Sequence, residues 1–332
     1  MKLKFQATLI TAIIAFAFSV KAQDVHFSQF YTTPLHLNPA QTGFFNGNMR
    51  FAGIYKNQWA SVTTPFSTFS GSMDFSKPTS KSKEDILGFG FLATTDKAGD
   101  AGYTTTQLGV SMAYHKKLGR WGNQFISGGG AATYSNSHFD MNALHWDNEY
   151  EGKTSNENFI STTGYSDFSI GGEYNYLPSQ FSNFTLGAAV FHLNQPALSF
   201  GGTWNAVLYR KFLLNTSAEI KLNQSIQLYP KAMLTIQGGY REFNLGSFMR
   251  IRMDKSRNSK YNIYLGSWYR WNDAVIAVTR FDIDNFSFAI SYDINTSALS
   301  KVSHGLGGTE ISFLYNTKLS SMGSKKVYCP RF

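Results

Sequence analysis

The sequence predicts an all-β protein, a transmembrane antiparallel β-barrel of about fourteen strands. Three observations carry this prediction. Apolar residues keep a period of two along nearly the whole chain: over 286–294, Phe286, Phe288, Ile290, Tyr292 and Ile294 share one face, and Ser287, Ala289, Ser291 and Asp293 the other. Leu108, Val110, Met112 and Tyr114 alternate in the same way with Gln107, Gly109, Ser111, Ala113 and His115, and Phe168, Ile170, Tyr174 and Tyr176 with Ser169, Gly171, Glu173 and Asn175. Most such segments run about ten residues, the length a tilted strand needs to cross hydrocarbon. A secretory signal precedes them.

Residues 1–22 read as that signal peptide, with Lys2 and Lys4 at its start, an apolar stretch from Leu9 to Val20, and Val20-Lys21-Ala22 as a small-residue cleavage site. Its removal takes the formal charge from +9 to +6, because Lys2, Lys4 and Lys21 leave and no acid does. The remaining basic residues are scattered among turns and polar strand faces, which is unlike a nucleic-acid-binding stripe, and no nucleic-acid partner is expected. A mean hydropathy of −0.23 gives no hint of a membrane, but half of each barrel strand faces the lumen, so this test is blind to barrels. An aromatic share of 16% with 29 Gly and 8 Pro suits lipid-facing girdles and tight turns. A soluble sandwich would also alternate, but with shorter strands, and no blade-like repeat points to a propeller.

Residues 23–46 do not alternate. They hold Phe27-Ser28-Gln29-Phe30-Tyr31 and Leu35-His36-Leu37-Asn38-Pro39-Ala40, an aromatic-rich element that must be packed somewhere, as a lumenal plug or a periplasmic docking surface. The barrel is expected over 47–319, with strands near 49–59, 66–75, 85–94, 103–118, 123–135, 165–176, 183–193, 207–221, 225–237, 242–253, 261–269, 274–281, 286–294 and 309–318. An even number brings both barrel ends to one side, and both termini are expected in the periplasm of an outer-membrane protein. The odd-numbered connections then face outward, and 136–164 and 295–308 are the longest. Residues 320–332 form a short periplasmic tail ending in Phe332, with the single cysteine, Cys329, unable to form an intramolecular disulfide.

The polar faces carry Glu173, Lys211, Glu219, Lys221, Lys231, Glu242, Arg250, Arg252, Arg280, Asp282, Asp293 and Glu310. Mixed signs predict cross-barrel ion pairs in a polar, largely occupied interior in place of a selective ring. In the same picture Met112 faces lipid and Ser111 the lumen, so an added charge should cost more at Met112 than at Ser111, where a polar interior solvates it if space permits. No GxSxG, HExxH or Walker loop is present, no enzyme activity or cofactor is expected, and His138 and His145 beside Asp140, Asp147 and Glu149 read as a solvated outer loop.

Four stretches carry a family resemblance: the 27–40 element with Gly43 after it, Phe191-His192-Leu193-Asn194-Gln195-Pro196, the Gly307-Gly308-Thr309-Glu310-Ile311-Ser312 strand entry, and the terminal Cys329-Pro330-Arg331-Phe332. Together, in this order, they resemble the PorP/SprF family of type IX secretion and gliding-motility outer-membrane proteins; Val25 stands where the family commonly has a proline. The resemblance implies a barrel that supports secretion or surface attachment of a large type IX substrate such as a gliding adhesin. Its partners would be that substrate, periplasmic or outer-membrane secretion and motility components, and outer-membrane lipid. Candidate partner-binding residues are Phe27, Phe30, Tyr31, Asn38, Pro39, His138, His145, Trp146, Asn194, Gln195, Cys329 and Phe332. The alternative function is an outer-membrane channel for small or hydrophobic solutes.

Overall fold

A computed structural model describes residues 24–58, 64–79, 84–119, 123–141, 161–179, 182–198, 200, 206–253, 260–297 and 300–317. The expected signal peptide and tail, and with them His145, Trp146, Cys329 and Phe332, lie outside the described residues. Fourteen strands form one closed antiparallel barrel. They are β1 (Met49–Gln58), β2 (Phe66–Pro78), β3 (Ile86–Ala98), β4 (Tyr103–Leu118), β5 (Gln124–His138), β6 (Thr162–Ser179), β7 (Ser182–Phe191), β8 (Lys211–Lys221), β9 (Ile226–Gln237), β10 (Tyr240–Arg252), β11 (Tyr261–Arg270), β12 (Ala274–Ile283), β13 (Phe286–Asn295) and β14 (Leu306–Thr317). Each pairs with its sequence neighbours, and β1 closes on β14 from Met49↔Thr317 to Gln58↔Gly308. Closure leaves no unpaired edge, which is the condition for crossing lipid with strands.

The alternation in the sequence sets the faces. Met112 is 53% exposed and the adjacent Ser111 1%, and the same contrast runs down β3 and β13. Phe89, Leu108, Phe168, Ile170, Leu186, Phe212, Leu214, Leu265, Phe288 and Ile290 all stand exposed on the outside. A soluble protein does not tolerate so continuous an apolar band, whereas a bilayer requires it. No described helix is long and apolar enough to cross a membrane.

The end of the barrel that carries Met49 and Thr317 is termed proximal, and the other distal. Residues 24–46 fill the lumen as a 3-10 turn (Phe30–Thr32), a one-turn helix (Pro34–Leu37) and a second 3-10 turn (Pro39–Gln41). Pro34 and Pro39 stand at first helical positions, where a missing N–H costs nothing, and the Asn38 side chain caps the second turn by accepting from the Ala40 N–H.

Four expectations are corrected. Asp24 lies at the distal end, where its N–H donates to Gln237 at the end of β9, while Thr317 lies at the proximal end. The two ends of the described chain therefore do not share a side: strand parity governs only the barrel, and the leading segment crosses the lumen once.

The interior is not uniformly polar either. Phe30, Tyr31 and Leu37 of the plug join Ala189, Leu213, Tyr229, Met233, Phe248, Tyr264, Trp268, Ile276, Val278 and Ala289 in a buried apolar cluster. The sequence basis is plainest in β12, where Ala274 to Val278 is apolar on both faces, the pattern of a strand buried on both sides. Of the charged residues expected in the lumen, Lys221 stands exposed at the end of β8.

Because the lumen is packed, Ser111 has no room for an added charge; its hydroxyl is 2.6 Å from that of Thr42. Finally, the second-longest connection is the seventh, between Phe191 and Lys211, not the thirteenth, because β14 starts at Leu306 and Val207 makes only an isolated bridge with Ala197.

Candidate functional site: the lumenal plug and the distal rim

The plug is held at three levels, each built from inward-facing side chains that the strand register lines up. Near the distal end, Ser291, Glu310 and Lys56 are cross-strand neighbours on β13, β14 and β1. The Glu310 carboxylate accepts the backbone N–H groups of Ser28 at 2.7 Å and Gln29 at 2.8 Å. The Gln29 side chain donates to Ser291 Oγ and to the Glu310 carbonyl and accepts from Ser312 Oγ at 2.6 Å. Ser28 Oγ donates to Asp293 at 2.6 Å, and Arg270 bonds both. Lys56 donates to the His26 carbonyl at 2.8 Å and sits 3.6 Å from Glu310. Buried charges are tolerable only when paired and hydrogen-bonded, and here the plug backbone supplies part of that pairing.

At mid-height Asn38 enters a socket of glycines. Its Nδ2 donates to the carbonyls of Gly172 and Ala188 at 3.1 and 3.4 Å. A Cβ at Gly171 would stand 1.9 Å from Asn38 Oδ1, and one at Gly129 would stand 2.5 Å from the Pro39 carbonyl oxygen. Absent side chains are what admit the plug backbone to this wall. Toward the proximal end, Asp74 accepts the Gly43 N–H at 2.7 Å and two bonds from its cross-strand partner Arg50, which also reaches the Gln41 carbonyl. His115 donates from Nε2 to the Thr42 carbonyl at 2.7 Å. Gly43 adopts φ +75°, and a Cβ at Gly88 would fall 1.8 Å from the Thr42 carbonyl oxygen.

At the distal rim Asp24 is bonded by Lys211 Nζ at 2.5 Å and His192 Nε2 at 2.7 Å, and His192 Nδ1 bonds Asp167 at 2.9 Å. Burial works against the charged forms. The neighbours outweigh it, so Lys211 and His192 hold the Asp24 carboxyl well below its usual range, and Asp24 and Asp167 raise the His192 imidazole above its ordinary value. Asn194 extends the ladder beyond β7: its Nδ2 donates to the Ser166 carbonyl and its Oδ1 accepts the Phe168 N–H, in the place of a further strand pair. Phe200, in the seventh connection, packs its ring edgewise on Phe139 and Tyr103, joining three distal connections.

Of the residues singled out in the sequence, Phe27, Phe30, Tyr31, Asn38 and Pro39 are buried inside the barrel, and Tyr31 stacks on Trp268 with centroids 5.1 Å apart. His138 and Asn194 are exposed at the distal end, with Gln195 beside Asn194. Sequence reading passed over Asp24, Arg50, Asp74, Phe139, Phe200 and Arg270. Arg50 and Asp74 carried the available signal, since opposite charges on the polar faces of consecutive strands mark a lumenal pair. Among the described residues no group of three or more His, Cys, Asp or Glu is placed to hold a metal ion. The plug and rim thus offer shape and hydrogen bonding.

Among solved structures, the chain is similar to the TodX deltaS2S3 mutant monoaromatic hydrocarbon channel, with 8% identity, a TM-score of 0.50, and coverage of 86% of this chain and 94% of that one. The CymD monoaromatic hydrocarbon channel matches with 8% identity, a TM-score of 0.48 and coverage of 87% and 93%. A Pseudomonas aeruginosa FadL homologue matches with 9% identity, a TM-score of 0.48 and coverage of 84% and 92%. At such identities the likeness concerns the barrel fold alone. No curated protein matches the sequence. Three of the four stretches whose order resembled one family also meet in space, since Ser28 and Gln29 bind Glu310 and Ser312, and Phe30 shares one apolar cluster with Phe191. A family match spans residues 19–315, and the chain belongs to the type IX secretion system membrane protein PorP/SprF family, as an outer-membrane β-barrel.

Proposed function

We propose that this barrel is a non-enzymatic part of type IX secretion that captures a large secreted protein, such as a gliding adhesin, at its distal rim and holds it at the cell surface. The observation that carries this reading is the plug: residues 24–46 are bonded to the wall at three levels, so the barrel offers a partner its rim and not a wide bore. In this reading the distal end faces outward, and the long connections over β5 to β8, with His138, His145, Trp146, Asn194, Gln195 and the Phe139–Phe200 contact, form the capture surface. Phe27, Phe30, Tyr31, Asn38 and Pro39 serve it indirectly by fixing the plug beneath the rim. Residues 320–332, with Cys329 and Phe332, reach periplasmic components of the machine.

Surface proteomics of a deletion strain beside a strain carrying a short turn in place of residues 139–161 tests this. One or a few large surface proteins should be lost in both strains while the shortened barrel still inserts. An unchanged surface proteome in both would overturn the capture role.

A further inference from the structure

We propose that a side-chain-gated path for small uncharged polar solutes runs through the lumen between the plug and the wall formed by β7 to β9. The plug is not centred. Its backbone is pressed against glycines of β3 and β5, and its distal part is bound by β13, β14 and β1. On the β7 to β9 side it meets the wall through side chains, and two cavities lie there.

The distal cavity, about 60 Å³, is lined by Asp24, His26, Lys211, Thr235, Tyr240 and Glu242 among others. The proximal one, about 50 Å³, includes Glu173, Asn183, Thr185, Asn215 and Lys231 in its lining. Phe30 and Leu37 line both. These two side chains, packed in one apolar cluster with Leu213 and Met233, are the partition between the cavities. At roughly 10–15 Å³ per water, each cavity holds a few waters.

Two further features say what passes. Asn215 Oδ1 and Tyr31 Oη line the proximal cavity, are buried, and have no protein partner, which suits a wetted chamber. Both cavities carry charges of both signs, Lys211 with Asp24 and Glu242, and Lys231 with Glu173, so neither cations nor anions are favoured along the whole route. The partition is apolar and holds no ion pair, so it yields to rotamer changes without breaking any of the three clamps. With that partition between them, chambers this small pass nothing at rest and need that transient opening.

The test is osmotic swelling of liposomes holding the full-length protein, with urea and glycerol as probes. Phe30→Ala with Leu37→Ala, and separately Met233→Ala from the wall side, should raise the swelling rate on the order of tenfold over the unmodified protein. Adding Thr235→Trp, which fills the distal cavity, should remove the gain. Leu35→Ala truncates an equally buried plug residue facing Gly90 of β3, away from the path, and should leave the rate unchanged. All variants are first checked for heat-modifiable migration, the mark of a closed barrel. Sealed vesicles with correctly folded gate variants, or equal swelling with Leu35→Ala, would overturn the proposal. The rim reading does not enter this experiment, and either can fail alone.

Discussion

Replacing Glu310 with Ala should release the distal part of the plug while leaving the barrel closed. The carboxylate is 1% exposed, accepts two backbone N–H groups of the plug and lies 3.6 Å from Lys56, which is itself 4% exposed. Hydrogen bonds to a charged group are each worth about 1.5–3 kcal/mol net. Truncation also strands Lys56, whose other bond is to the His26 carbonyl on the same plug segment. Breaking a buried pair from one side costs about 3–5 kcal/mol. Ser312→Ala, by contrast, removes one neutral bond to Gln29, worth about 1 kcal/mol.

Because the mid-height and proximal clamps are unaffected, the loss should show first as local opening of residues 24–33. Protease cleavage within this segment in intact liposomes, followed by mass spectrometry, reads that opening; urea titration of the tryptophan signal reads the rest, since Trp268 stacks on Tyr31. Glu310→Ala should speed cleavage far more than Ser312→Ala, with Glu310→Gln between them. Cleavage rates for Glu310→Ala no higher than for Ser312→Ala would refute the clamp.

Three further outcomes follow from the same geometry. Met112→Arg should cost about 2–4 kcal/mol in a bilayer-folding titration by placing charge at the lipid face, whereas Ser111→Arg should instead expel the plug around Thr42, seen as new protease sites after Gln41. Gly171→Val should displace Asn38 and destabilise by about 1–3 kcal/mol through overpacking, while the same change at Gly53, whose added Cβ would meet nothing within 4 Å, should be nearly silent in the urea midpoint.

The His192 cluster should make anchoring of Asp24 pH-dependent. The folded imidazole titrates above its ordinary 6.5, so its contribution is complete below that value and is lost as pH rises through the raised one. Protease accessibility of the leading residues should therefore be greater at about pH 9 than at about pH 6, and His192→Gln should flatten the difference.

Strand number, strand placement and the inside-outside assignment were legible in the sequence because a period of two is a local property: Leu108 to His115 already states which side chains meet lipid, and neighbouring strands only inherit that order. The aromatic leader could be recognised as needing burial, since Phe27, Phe30 and Tyr31 cannot remain in water. Where it is buried is a different kind of fact. It depends on Gly129 and Gly171, far apart in sequence, standing side by side on β5 and β6, and on Lys56, Ser291 and Glu310 forming one row across β1, β13 and β14. Neither arrangement exists until the ladder closes. The apolar half of the lumen was hidden for the same reason. Alternation records whether a face is apolar, but only the arrival of Phe30, Tyr31 and Leu37 from the leader decides that Phe248, Trp268 and Ile276 meet protein where water would otherwise stand.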